Sequence, residues 1–197
     1  MTHTTYADAL RPTERAQALL YDIALVLVGT FLVALCAQLA IRIPFNPVPI
    51  TGQTFGVLVV GSMLGSRRAA ISLGVYLLEG FLGLPVFAGG AFGPAQLLGP
   101  TGGYLLGFVL AAYLVGLCAE HGWDRRVWTT LVMMSAGTFA IYILGLGWLS
   151  GFVGWKNVLA VGLYPFILGD IAKAALAAFL LPAGWRLRRQ RTKTGCL

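Results

Sequence analysis

The sequence predicts an all-α integral membrane protein, folded as a compact bundle of six transmembrane helices. Hydrophobic residues make up 58% of the 197 residues, and charged residues make up only 11%. Soluble domains carry about a quarter charged residues, so this chain lacks the polar surface that a globule in water needs. Its apolar residues also fall into separate runs, and roughly 20 such residues cross a bilayer as a helix. These observations exclude a soluble globule and favour short loops over a large extramembrane domain.

Six apolar runs follow the polar start of the chain, at residues 19–41, 53–64, 69–84, 103–119, 127–149 and 162–181. The second run is short: as a helix it reaches about 18 Å, against roughly 30 Å of hydrocarbon. We therefore expect neighbouring helices or flanking turns to complete that crossing. The runs divide the chain into a cytoplasmic N-terminal segment (1–18), a transmembrane domain (19–183) and a basic cytoplasmic tail (184–197).

The distribution of basic residues favours an even number of crossings with both termini in the cytoplasm. That orientation puts 11 of the 14 Lys and Arg residues on the cytoplasmic side, as the positive-inside rule requires. If the second run did not cross, the pairs Arg67-Arg68 and Arg125-Arg126 would lie on opposite sides. The same rule explains the net charge of +7, so we expect no nucleic-acid partner. The prediction is a multi-pass plasma-membrane protein in contact with membrane lipids, with its tail at the inner leaflet.

Two predicted outer loops have unusual compositions. Residues 42–51 contain three prolines, which favour an extended, stiff connection. Residues 83–103 contain seven glycines, three prolines and no charge. Irregular apolar backbone of this kind should fold back onto the mouth of the bundle, where protein surrounds it. We expect this Gly/Pro-rich loop to cap a pocket; the alternative is a compact surface loop with nothing beneath it.

A few ionisable residues lie within the apolar runs, where each costs about 2.5–3.5 kcal/mol at the centre of a helix. Tyr164 and Pro165 mark the start of the sixth helix, because proline suits the first helical turn. Asp170 then lies about 8 Å inside the outer end, with Lys173 on the same helix face. Glu79 lies at a similar depth in the third run. The outer ends of the other helices add further polar groups at this level: Arg42, Thr51, Gln53, Thr101 and Tyr104.

This polar layer suits a pocket for a small, partly polar molecule, because carboxylates accept from N–H groups while Lys, Gln and Tyr can donate to carbonyl and carboxylate oxygens. The alternative is an internal ion pair between Asp170 and Lys173 that only neutralises itself. Aromatic residues of the loops, Phe45, Phe87 and Phe92, can cover the ligand or simply pack. The candidate ligand-binding residues are Asp170, Lys173, Glu79, Gln53, Arg42, Tyr104, Tyr164 and Phe92.

The sequence does not favour an enzyme. Its only histidines, His3 and His121, are far from the buried carboxylates along the predicted topology, and the cysteines form no C-x-x-C pair. We therefore expect no catalytic or metal site and no cofactor of its own. A phosphate-binding loop is also missing, so ATP would be used by partner subunits. The small-residue stripe Gly103, Gly107 and Ala111 should pack within the bundle.

Three separated motifs carry a resemblance to a known family. They are PVPITGQTFGVLVVG, then GLPVFAGG followed by GPTGGYLLGF, and DIAK in the sixth run. Together they resemble the BioY family, the biotin-capturing membrane (S) subunits of energy-coupling-factor (ECF) transporters. The resemblance implies a six-helix bundle that binds biotin from outside and works with a coupling transmembrane protein and two cytoplasmic ATPases. It also places Asp170 and Lys173 in the binding site. One departure is Gln38, four residues after Ala34, where the family often has a second Ala for docking.

Biotin has the groups that this layer could bind. We expect Asp170 to accept a ureido N–H, and Lys173 to serve the ureido carbonyl or the carboxylate. Glu79 and Gln53 are second choices for the ring, and Arg42 is the candidate for the carboxylate. The alternatives are a subunit for another small vitamin, or a membrane enzyme or scaffold that transports nothing. A homo-oligomer is left open.

Overall fold

The structure is a computed structural model that describes the backbone of residues 5–194 and the side chains of residues 5–186. This part of the chain is mainly helical, with one two-stranded hairpin. The helices are α1 (Arg15–Gln38), α2 (Gln53–Leu64), α3 (Ser66–Phe81), α4 (Pro94–Leu98), α5 (Gly102–Glu120), α6 (Val127–Val153), α7 (Val158–Gly162) and α8 (Tyr164–Thr194). The hairpin strands are β1 (Ala40–Ile41) and β2 (Ile50–Thr51), paired antiparallel.

Within the described residues, four segments are long and apolar enough to span a membrane: α1, α5, α6 and Val158–Arg186, which contains α7 and most of α8. Helices α2 and α3 are shorter, at 12 and 16 residues. The chain is thus a helical, multi-pass membrane protein. Each predicted apolar run falls on a helix, whereas the count of six crossings stays a prediction.

Helix α5 lies at the centre of the bundle and packs against α2, α3 and α6. Its small residues explain the close contact with α6. A Cβ atom at Gly103 would lie 2.2 Å from Trp148 Cβ, and one at Gly107 would lie 3.0 Å from Ile141 Cα. The prediction that this stripe packs within the bundle is confirmed. In the most apolar stretch of α1, in contrast, only 17% of the residues are buried, and the exposed apolar side chains suit lipid.

The hairpin and the Gly/Pro-rich loop lie at the same end of the bundle. The loop is more regular than its composition suggests, because it contains α4 and a 3₁₀ turn at Ala88–Gly90. It folds back on itself, since Phe87 N donates to Ala91 O at 3.0 Å. It is also joined to α3, since Gly93 N donates to Gly80 O at 2.7 Å. The loop is therefore held against the helices.

The N-terminal segment closes the opposite end. Ala7 N donates to Met63 O at 3.1 Å, and the Tyr6 hydroxyl donates to Leu181 O at 2.6 Å. Arg68 binds Asp8 at 2.7 Å and Asp22 at 2.8 Å. The bonds of Tyr6, Ala7 and Asp8 join the segment before α1 to the end of α2, the start of α3 and the middle of α8.

Helix ends differ from the predicted segment boundaries. Helix α1 begins at Arg15, before the predicted boundary at residue 19, and α8 continues through the predicted start of the tail at residue 184. The sixth helix begins at Tyr164 as predicted. The tail side chains from residue 187 onward lie outside the described residues, as do His3 and Cys196.

Candidate binding site

A cavity of about 410 Å³ lies at the hairpin end, among α2, α5, α6 and α8. Its lining combines aromatic rings, such as Phe87, Phe108 and Phe166, with a set of polar groups. The polar lining comprises Arg42, Asn46, Thr51, Gln53, Thr54, Gln96, Thr101, Tyr104, Thr138, Tyr142, Asp170 and Lys173. Concave sites of about 300–1,000 Å³ with mixed lining are typical of small-molecule pockets.

Lys173 is held on the cavity wall by three acceptors. Its Nζ donates to Thr51 O at 2.8 Å, to Thr54 Oγ1 at 2.7 Å and to Asp170 Oδ1 at 3.0 Å. An ammonium group has three hydrogens, so each has an acceptor. A ligand oxygen can bind Lys173 directly only by replacing one of these partners.

Asp170, unlike Lys173, has a hydrogen-bonding position left for a ligand. Its Oδ1 accepts from Lys173 and, at 3.3 Å, from the Thr54 hydroxyl, while its Oδ2 accepts from the Tyr142 hydroxyl. A carboxylate has about four acceptor positions, so three donors leave one for a ligand N–H. The predicted ion pair therefore exists, and it also faces the cavity. The pairing and the ligand-binding interpretations are compatible.

A chain of hydrogen bonds connects the cavity wall to the Gly/Pro-rich loop. Gln53 Nε2 donates to the Tyr76 hydroxyl at 2.6 Å, which donates to Val86 O at 3.0 Å. Next to Val86, the Phe87 ring packs edge-on against Tyr76, with 5.5 Å between ring centroids. These contacts place Phe87 on the cavity wall.

The hairpin covers another side of the cavity. Asn46 Nδ2 donates to Val161 O at 3.0 Å, and Asn46 Oδ1 accepts from Val48 N at 2.9 Å. On the wall below, the Tyr104 hydroxyl donates to Gly162 O at 2.8 Å. The hairpin segment is thereby fastened to the region of α7.

The structure brings five of the eight predicted residues to the cavity: Asp170, Lys173, Gln53, Arg42 and Tyr104. It does not bring Glu79, Phe92 or Tyr164 there. Phe92 and Tyr164 are 59% and 61% exposed. Glu79 is not among the lining residues, and the ring of Phe87, which does line the cavity, lies against its neighbour Gly80. Residue spacing predicts how far along a helix a side chain lies. It does not predict which way the helix face points or where a loop runs.

Five polar residues on the cavity are not predicted by the sequence: Asn46, Thr54, Gln96, Thr138 and Tyr142. Tyr142 had a usable signal. It precedes the predicted outer end of its helix, Leu149, by seven residues, or about 10 Å, which is close to the depth of Asp170. Asn46 and Thr54 had no such signal, because hairpin geometry and helix rotation position them.

Comparison with known families identifies the chain. The sequence model of the BioY family matches residues 8–190. The chain belongs to the BioY family. A relative from Pyrococcus horikoshii, named probable biotin transporter BioY, is 38% identical over 159 residues, covering 81% of this chain and 93% of the relative. The biotin transporter BioY of Thermotoga maritima is 38% identical over 157 residues, covering 79% and 92%.

A solved structure agrees with the BioY assignment. The crystal structure of the S-component for biotin from an ECF-type ABC transporter superposes with a TM-score of 0.77 at 28% identity, covering 90% of this chain and 95% of that one. The resemblance seen in the motifs is thus confirmed. These BioY relatives are transport proteins, in agreement with the prediction of a transport subunit rather than an enzyme.

Proposed function

We propose that this chain captures biotin in the hairpin-end cavity and passes it inward as the S subunit of an ECF-type transporter. The observation that carries the proposal is a carboxylate, Asp170, with one acceptor position left, on the wall of a cavity of suitable size. The relatives named as biotin transporters and the likeness to a biotin S-component support biotin as the ligand.

The ureido ring is the part of biotin that fits the charged wall. Its N–H group donates to Asp170, whose orientation is set by Tyr142 and Thr54. Lys173 neutralises this carboxylate. To bind the ureido carbonyl or the biotin carboxylate, Lys173 must give up its hydrogen bond to Thr51 O or to Thr54 Oγ1. Neutralisation is needed because an unpaired charge at this depth is costly.

Arg42 receives the biotin carboxylate at the mouth, where it follows β1 and remains exposed. Gln53 is the second group for the ring, although its amide already contacts Thr51 and Tyr76. Tyr104 contributes mainly its ring, because its hydroxyl donates to Gly162 O. Phe87 and Phe166 cover the apolar thiophane ring and valeryl chain.

In the membrane, all six predicted runs cross, with both termini in the cytoplasm and the cavity toward the outside. The support is the position of the arginine pairs at the end opposite the cavity, as the positive-inside rule requires. A coupling transmembrane protein and two cytoplasmic ATPases supply the energy for release, and ATP is used by those subunits.

Equilibrium binding of labelled biotin to Asp170→Asn, Lys173→Met and the double variant tests the proposal. Each single variant should lose affinity by at least a hundredfold, because each leaves a buried charged group without its partner. The double variant removes both charges, so its thermal stability should recover while biotin binding stays lost. Lys156→Met, an exposed lysine outside the cavity, is the control.

A different result is expected if Asp170 and Lys173 only neutralise each other and do not contact the ligand. The double variant would then bind biotin with wild-type affinity. Competition by other vitamins in the same assay tests the choice of ligand: displacement of biotin by another vitamin at lower concentration would contradict biotin as the substrate.

A further inference from the structure

A second cavity, of about 510 Å³, lies at the end of the bundle opposite the first. It is bounded by the turn after α5, the start of α6 and α8 near Pro182. The side chains that matter in its lining are Arg125, Arg126, Arg186, His121, Trp123 and Thr129. The capture of biotin gives this cavity no role.

The cavity is positively charged. Three guanidinium groups line it, and none of the described residues that line it is an Asp or a Glu. The nearest carboxylates in the sequence, Asp124 and Glu120, lie outside the lining and accept hydrogen bonds from neutral donors. Asp124 accepts from Trp185 Nε1. Glu120 accepts from Ser66 N at 2.7 Å and from Ser66 Oγ at 2.8 Å. Among the described side chains, Arg126 and Arg186 form no ion pair.

The walls of the cavity are fixed by contacts that do not depend on a ligand. The Arg125 guanidinium stacks over the Trp185 ring at 4.7 Å, a cation–π contact. The Trp123 carbonyl accepts from the hydroxyls of Thr129 at 2.6 Å and Thr130 at 3.1 Å, which joins the turn to α6. Such contacts lower the cost of ordering arginines around an anion.

The level of the cavity along the bundle indicates the kind of anion. It lies where α5 ends and α6 begins, and both helices are candidate membrane spans. Trp123 and Trp128 are 40% and 76% exposed there, as is typical of tryptophans at the membrane interface. Guanidinium groups match the oxygen pairs of phosphate, and basic pockets at this level bind phospholipid headgroups.

We propose that this cavity binds the phosphate of an anionic glycerophospholipid, held by Arg126 and Arg186 with Arg125 on the wall behind them. The binding is independent of biotin. It is also distinct from a diffuse attraction between the basic end and the membrane, because it depends on the arginines of the cavity rather than on net charge.

Native mass spectrometry of the purified full chain with phosphatidylglycerol in mixed micelles tests this proposal. Arg126→Gln/Arg186→Gln should weaken lipid retention by about tenfold or more, since each arginine near such a surface is worth about 1 kcal/mol. The control, Arg15→Gln/Arg67→Gln, removes the same charge from exposed positions at the same end outside the cavity and should retain lipid as wild type does. Gel filtration and thermal midpoints check folding, and the single variants replace the double if it does not fold.

Four results would overturn the proposal. Equal losses in both double variants would indicate diffuse charge, and no loss in either would exclude the arginines. Binding of inorganic phosphate or glycerol 3-phosphate with the same arginine dependence, but no lipid retention, would indicate a soluble anion. Unchanged lipid retention with lost co-purification of a membrane partner protein would indicate a protein-docking site.

Discussion

Tyr142 on α6 donates its hydroxyl hydrogen to Asp170 Oδ2 on α8. The other carboxylate oxygen of Asp170 is bound by Lys173 and Thr54. The carboxylate at the cavity wall is thus held from three helices, α2, α6 and α8. Tyr142 is the contact that fixes which way the free acceptor position points.

Tyr142→Phe should weaken biotin binding by about ten- to a hundredfold, because a hydrogen bond to a charged group is worth about 1.5–3 kcal/mol. Equilibrium binding of labelled biotin measures the change. Tyr113→Phe, at an exposed tyrosine of α5 outside the cavity, should bind as wild type does. Equal affinities for Tyr142→Phe and wild type would contradict a positioning role.

Arg42→Gln should weaken the binding of biotin by about fivefold and leave the binding of its neutral methyl ester unchanged. The effect is modest because Arg42 is exposed, where ion pairs contribute about 1 kcal/mol or less. The difference between the two ligands should shrink in high salt. An equal loss of affinity for biotin and for its methyl ester would show that Arg42 does not contact the carboxylate.

Asn46→Ala should speed the dissociation of biotin by about tenfold and change association little. The substitution removes the bond to Val161 O and the bond from Val48 N, each worth about 0.5–1.5 kcal/mol. Stopped-flow or surface-capture kinetics measures both rates. Asn157→Ala removes an exposed amide bond to Val153 O away from the cavity, and it should not alter either rate.

Gly103→Ala should lower the thermal unfolding midpoint in detergent, because the added methyl group meets Trp148 and the backbone of α6; overpacking costs about 1–3 kcal/mol. Gly147→Ala, where a Cβ meets nothing within 4 Å, is the matched substitution on α6. It should raise the midpoint slightly, since alanine favours a helix by about 0.5–1 kcal/mol over glycine. A lower unfolding midpoint for both variants would indicate a cause other than the contact between α5 and α6.

The ion pairs at the opposite end predict a pH dependence. Burial raises the pKa of Asp8, but hydrogen bonds from Arg68 and Thr5 lower it more, so the pKa lies below its ordinary value of 3.8. A carboxyl group with a lowered pKa stabilises the fold above that ordinary value and loses this effect as the pH falls through the lowered pKa.

Asp8→Asn should therefore reduce stability at pH 7, by less than about 1 kcal/mol because the group is partly exposed. The difference from wild type should vanish at pH values well below 3.8. Thermal midpoints of both proteins across this pH range measure it. Glu14→Gln, which removes the same charge at a carboxylate without an ion pair among the described residues, is the control.

The sequence predicted the helical runs well, because they follow from hydrophobicity. The short run at residues 53–64 coincides with α2. Rotation about a helix was less predictable: sequence spacing puts Glu79 and Asp170 at the same level, yet of the two only Asp170 lines the cavity. The loops were least predictable, since the contacts of Phe87 and Asn46 depend on helices distant in sequence.

The bond from Tyr6 to Leu181 has a consequence for the order of assembly. Tyr6 precedes α1 and so leaves the ribosome before any of the helices α1 to α8, whereas Leu181 lies in α8, the last of the described helices. The basic end therefore stays open during synthesis and closes only after α8 has entered the membrane. A chain that terminates before residue 181 lacks the acceptor for Tyr6, so its N-terminal segment is not bound to α8. A protease that cleaves exposed N-terminal segments could therefore distinguish an incomplete chain from one that contains α8.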